Sequence, residues 1–165
     1  MTIPRTCRPF GAHLLGPTRS PALTHRSGTT GLPELSPDGK WASFIDGDLQ
    51  LSVVSIEGGD SRRFAELAPP TSASLQMGRS RWNPDGSTIV FVDLDETGKA
   101  ALLTQDFEPN ADTRATRRVV IADSGDGQLE SFGISPDGTR IVVSYVEPLS
   151  SVNISDPIPD IALVK

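Results

Sequence analysis

An all-β fold made of repeated units is what this sequence predicts, on three observations. One turn occurs three times, as Ser36-Pro37-Asp38-Gly39, Asn83-Pro84-Asp85-Gly86 and Ser135-Pro136-Asp137-Gly138. The copies lie 47 residues apart from Asp38 to Asp85, then 52 apart from Asp85 to Asp137. Each opens into an apolar, β-branched or aromatic run, as a turn-plus-strand unit does when it is stacked as a repeat. Composition agrees: 36% hydrophobic residues, with 15 Gly and 14 Pro in 165, suit many short strands joined by turns.

The turn has its own logic. Ser or Asn at the first position can hydrogen-bond its side chain to the backbone two residues on, and Pro at the second presets φ. Asp is tolerated at the third position, and Gly supplies the left-handed conformation that leaves a type I turn. In chain order, the first unit pairs Leu32 to Leu35 with Lys40 to Ile45 across the first turn. It crosses Asp46-Gly47-Asp48 into Leu49 to Val54, and closes with Arg62-Arg63-Phe64 after Glu57-Gly58-Gly59. The second unit pairs Gly78 to Trp82 with Ser87 to Val92, then runs through Glu96-Thr97-Gly98 into Ala100 to Leu103. Its basic closing strand is Arg117 to Ile121. The third pairs Leu129 to Ile134 with Thr139 to Tyr145 and reaches Ile161 to Val164 after a Pro-broken loop.

Four strands in a unit of roughly 45 residues make the blade of a β-propeller. Ile89-Val90-Phe91-Val92 is apolar on both faces of its strand, so both faces must be covered, as in a blade between two neighbours. The predicted architecture is a partial β-propeller of about three four-stranded blades, the last incomplete. Blade 1 is expected over residues 32–77, blade 2 over 78–126 and a truncated blade 3 over 127–165. Residues 1–31 are expected to be a basic tail, disordered or the remnant of a preceding blade, with an outer strand near Pro21 to Thr24.

These units resemble the WD-like β-propeller repeats of TolB-type proteins, whose mark is a Ser-Pro-Asp-Gly-Lys turn followed by an apolar strand. The likeness is best at Ser36 to Phe44 and extends over roughly residues 32 to 165. The stretch from Arg81 onward is also similar to the last blades of propellers fused behind bacterial serine/threonine kinases. Similar propellers gate the active site in the prolyl oligopeptidase family. The resemblance implies a bacterial repeat protein whose relatives are often periplasmic, although it leaves this chain's compartment open. TolB-type propellers close with about six blades, so an open arc is expected to leave apolar flanks and to self-associate. Asn83 stands where the repeat carries Ser and is expected to serve the same turn position.

Charge and chemistry narrow the function. The chain holds 15 basic and 21 acidic residues, net −6, which argues against nucleic acid as the main partner. No run is long and apolar enough for a membrane span. Arg5, Arg8, Arg19 and Arg26 fall in an acid-free leader that resembles a transit peptide in composition, but Pro4, Pro9, Pro17 and Pro21 break any amphipathic helix there. That leader also holds the sole cysteine, Cys7, and both histidines, His13 and His25. The repeat region therefore lacks the side chains for a Ser-His-Asp or Cys-His machine or for a zinc site, and no catalytic, cofactor or metal residue is expected.

Carboxylates remain. Asp93 to Gly98 echoes the start of an EF-hand loop but places Thr104 where a bidentate Glu is required, so a polar hairpin loop is expected. Asp46 and Asp48 read as hairpin residues, and Asp123 to Gly127 as a solvated turn able to offer two carboxylates to a cation. Asn153-Ile154-Ser155 is a formal glycosylation sequon. Three functions follow: a non-catalytic interaction module for a protein or peptide, a regulatory or gating piece of a kinase or peptidase, or a cation sensor on the carboxylate turns. The twelve residues of the three turns are the positions the sequence singles out, in a structural role.

Overall fold

A computed structural model describes residues 31–69, 79–122 and 128–146. Among the described residues ten strands follow in chain order: β1 (Gly31–Leu35), β2 (Trp41–Ile45), β3 (Leu51–Ser55), β4 (Arg62–Ala65), β5 (Ser80–Trp82), β6 (Thr88–Leu94), β7 (Ala100–Asp106), β8 (Arg118–Ala122), β9 (Gln128–Ile134) and β10 (Ile141–Val146). A 3-10 helix, Arg114–Thr116, sits between β7 and β8. Strands β1 to β4 form one four-stranded antiparallel meander and β5 to β8 a second, while β9 and β10 pair as a third sheet. This is an arc of a β-propeller. The proposed outer strand near Pro21 and the proposed strand at Ile161 to Val164 lie outside the described residues.

Strand β6 explains the stacking. Its alternate side chains enter two cores, because successive residues of a strand point to opposite faces. Ile89 and Phe91 join Ile45, Leu51, Val53, Phe64 and Leu103 between the first and second blades. Val90 and Val92 join Leu102, Leu129 and Phe132 between the second blade and the third. All four β6 residues are buried, and the expected two-sided covering is what the fold provides. Aromatic rings fix the first seam, with Phe64 edge-on to Phe91 at 6.4 Å and Phe107 edge-on to Trp82 at 4.6 Å.

The inner strands β1 and β5 are tied by polar groups. The Trp82 indole N–H donates to the Glu34 carbonyl and Arg81 pairs with the Glu34 carboxylate, while the hydroxyl of Ser43 on the neighbouring β2 meets that of Ser80 at 3.3 Å. Burial raises the Glu34 carboxyl above its ordinary pKa against the opposing pull of Arg81.

Ala42, Phe44 and Val54, on the face of the first blade turned away from the second, are buried. On the third sheet, on the face away from the second blade, Ser144 bonds both Ser131 and Glu130, and Val142 is 73% exposed.

Candidate functional site

The three repeated turns fold alike. In each, the Gly N–H donates to the carbonyl of the turn's first residue at 2.8 Å, and Gly39, Gly86 and Gly138 take φ of 68°, 73° and 70°. The side-chain bonding differs from the expected Ser-to-backbone contact. Ser36 Oγ donates to Asp38 Oδ1 at 2.5 Å and accepts the Trp41 N–H at 3.0 Å. Ser135 does the same with Asp137 and with the Arg140 N–H. Asn83 Nδ2 donates to Asp85 Oδ1 at 2.8 Å. The Asp is thus the organiser rather than a tolerated residue: Asp38, Asp85 and Asp137 each also accept the backbone N–H two residues on. Pro37 and Pro136 are exposed and Pro84 half-buried.

Hydrogen bonds to the charged form hold these carboxyls below their usual range. The Ser36 hydroxyl lowers Asp38, the Ser87 N–H lowers Asp85, and the Ser135 hydroxyl takes Asp137 down to about 2. Acids so depressed are poor general bases near neutrality. The turns stand side by side across the blades. A Cβ on Gly86 would lie 3.8 Å from Pro37 Cδ, and one on Gly138 would lie 2.9 Å from Asn83 Oδ1.

A second turn also repeats, between β2 and β3 and between β6 and β7. Asp46 Oδ1 accepts the N–H groups of Asp48 and Gln50, and Asp95 Oδ1 those of Thr97 and Lys99. Asp46 is no ordinary hairpin residue, because it is buried and its other oxygen accepts Ser52 Oγ at 2.8 Å. Asp93 likewise is not in a loop. It lies in β6, buried, where it accepts the Ala68 N–H at 2.9 Å and pairs with Arg117 at 3.4 Å. Among the described residues no three His, Cys, Asp or Glu side chains gather to hold a metal. Cys7, His13, His25, Asp123 to Gly127 and Asn153 to Ser155 fall outside those residues.

What the sequence did not mark is a cleft of about 560 Å³ where the outer strand of the first blade meets the second. Arg62 and Arg63 on β4 and Glu66 form one wall; Pro109 to Asp112 and Arg114 form the other. Arg62 straps the walls together, donating to the Glu108 carbonyl at 2.6 Å and the Ala111 carbonyl at 3.3 Å, with its guanidinium 5.6 Å over the Phe107 ring. Its Nε–H is buried without an acceptor among the described residues. Burial lowers the Arg62 pKa, with only the charge of Asp112 opposing. Arg114 grips Asp112 through Nε and Nη2, which holds that carboxyl down at about 2. Arg63 Nη2 reaches Asp48 at 2.9 Å on the surface. Beneath the cleft, Gln105 donates to the Phe64 carbonyl and Arg117 lies 5.2 Å from the Phe91 ring, so both walls rest on a fixed seam.

Sheet order, seam and turns together define a partial β-propeller of the TolB kind. TolB from Acinetobacter baumannii superposes with a TM-score of 0.58 at 20% identity, over 80% of this chain and 30% of that one. A prolyl endopeptidase superposes at 0.55 and 16% identity, over 79% of this chain and 21% of that one. In sequence the chain is 37% identical over 78 residues, 44% of its length, to the uncharacterized peptidase YuxL of Bacillus subtilis strain 168. It spans 11% of that protein, and less than a third of either structural relative. No family model matches the chain. These likenesses establish the fold.

Proposed function

We propose that the chain is a non-catalytic interaction module, an arc of propeller blades that receives a protein or peptide in the cleft between its first two blades. The observation that carries this reading is the construction of the cleft. Its walls come from two blades, and the Arg62 strap and the buried seam beneath hold them in register. A preformed concave surface binds without the cost of ordering itself. The test is peptide display against the immobilised chain, with Asn110→Trp as the comparison because Asn110 is exposed on the cleft wall. Enriched peptides are expected to bind the parent chain and to weaken about tenfold on the bulkier variant. Failure to enrich any peptide, or hydrolysis of the peptides by the pure chain, would sink the reading.

A second reading rests on the stretch shared with the Bacillus peptidase and on the prolyl endopeptidase propeller. In it the arc is a regulatory or gating piece of a multidomain enzyme. An open reading frame continuous with this one and encoding a hydrolase domain would support it. Peptidase activity that is unchanged when the blades are deleted from such a product would dismiss it.

A further inference from the structure

We propose that the basic leader, residues 1–30, docks on the face of the first blade turned away from the second and caps that end of the arc from within. The seat is made of two cross-strand pairs of β2 and β3, Ala42 with Val54 and Phe44 with Ser52. Phe44 and Val54 are 1% exposed and Ser52 2%. Side chains so deeply buried have atoms packed on them, yet no hydrophobic side chain of another described element joins Ala42, Phe44 and Val54. The second blade lies against the opposite face of this sheet, through Ile45, Leu51 and Val53. The cover of the seat therefore comes from elsewhere in the same chain.

Connectivity and charge select the leader. It runs directly into β1, in the same sheet as the seat. Eight extended residues span about 26 Å, so Ala22 and Leu23 can return onto a layer about 10 Å from the sheet. Residues 147–165 leave from β10 in the third sheet, and the second and first sheets both stand between that point and the seat. Residues 70–78 and 123–127 are tied at both ends between consecutive blades. The leader carries Arg5, Arg8, Arg19 and Arg26 and no acid, whereas residues 31–69 hold seven acidic residues against Lys40, Arg62 and Arg63. Glu57 and Asp60, in the exposed loop after β3, meet no cation among the described residues. Opposite net charge draws leader and blade together, and the tether raises their effective concentration.

The chemistry of the seat decides which part of the leader enters it. Its polar groups are already bonded: Ser52 Oγ donates to Asp46 Oδ2 at 2.8 Å, and Asp46 Oδ1 accepts the N–H groups of Asp48 and Gln50. What remains is apolar and takes apolar side chains, which the leader offers at Phe10, Leu14, Leu15, Ala22 and Leu23. The arginines stay at the rim with their charged heads in water. So placed, the leader gives the terminal blade a polar outer surface, as capping units do in repeat arrays.

Paramagnetic relaxation in the methyl-labelled full chain tests this. A nitroxide on Ser20→Cys, in the Cys7→Ser background, stands between the two apolar groups of the leader. The methyl signals of Ala42 and Val54 are expected to lose most of their intensity, while Val142, on the far face of the third sheet, keeps its own. Adding Leu14→Asp and Leu23→Asp should restore the Ala42 and Val54 signals, because the seat has no donor for a carboxylate. Unaffected Ala42 and Val54 signals, equal loss at Val142, or loss that survives the two aspartates would overturn the proposal. The same loss from a nitroxide on Lys165→Cys in the Cys7→Ser background would overturn it by giving the seat to the C-terminal segment. Loss seen when methyl-labelled chain is mixed with separately spin-labelled chain would give the seat to a second copy and overturn it as well.

Discussion

At single residues the repeated turns expose where this chain departs from its own pattern. Gly98 leaves the β6–β7 turn at φ 79°, and at the matching place in the β2–β3 turn stands Leu49, at φ 61° and exposed. A leucine in the left-handed region is crowded between its Cβ and the following carbonyl, and Asn tolerates that region better. Leu49→Asn is therefore expected to stabilise the fold by about 0.5–1 kcal/mol in urea unfolding; an unchanged or lower midpoint would show the backbone there to be unstrained. The principal turns give a matched pair of tests. Gly39→Ala and Gly138→Ala both place a side chain at positive φ, at a cost of ~1 kcal/mol. Only the Cβ at position 138 also meets Asn83 Oδ1, at 2.9 Å, and Asn83 is held by its bond to Asp85. Gly138→Ala should cost roughly 2 kcal/mol, the excess being the clash, and Asn83→Ser in the same chain should remove that excess. Equal costs with and without Asn83→Ser would mean the two turns do not touch.

At the scale of the strand, β6 shows one face accepting a carboxylate at one position and forbidding it at another. Asp93 is buried on the face turned to the first blade, where Ala68 and Arg117 supply its donors. Ile89 is on the same face, among Leu51, Val53 and Phe64, with no donor in that cluster. Ile89→Asp is expected to lose more than ~4 kcal/mol, enough to unfold the chain, because it buries an unpaired charge or forces its protonation. A folded, soluble variant by circular dichroism would contradict the two-faced packing of the strand. The same contrast explains what could be read in advance. The turns and the two-faced run at Ile89 to Val92 were legible because their chemistry is local: turn bonds span two to five residues, and strand alternation repeats every two. Asp93 was misplaced because its partners lie 25 and 24 residues away. The cleft was invisible for the same reason, since Arg62 meets its acceptors 46 and 49 residues further on, and only the stacking of two blades brings them together.

Across the whole molecule the recurring device is a surface aspartate that closes a turn with its ionised carboxylate, and this gives the arc a definite response to acid. Asp38, Asp85, Asp95 and Asp137 are all held below their ordinary pKa by hydroxyl and backbone donors, Asp137 to about 2. A carboxyl that is more acidic folded than unfolded binds its proton more readily in the unfolded chain. Its contribution is therefore complete above the unfolded pKa, near 4, and is lost as pH falls through the folded value. Glu34 acts in the opposite sense, since burial raises its pKa and protonation relieves part of that cost. With five depressed carboxyls among the described residues, Asp112 held by Arg114 included, against one raised, urea midpoints should hold steady down to about pH 4 and then decline toward pH 2. Asp137→Asn separates this from general acid denaturation. Asparagine retains an oxygen acceptor but cannot titrate, so the variant should be somewhat less stable near neutrality and should lose less stability than the parent between pH 4 and pH 2. Parallel profiles for parent and variant would mean that the ionised turn at Asp137 contributes nothing to holding the third blade.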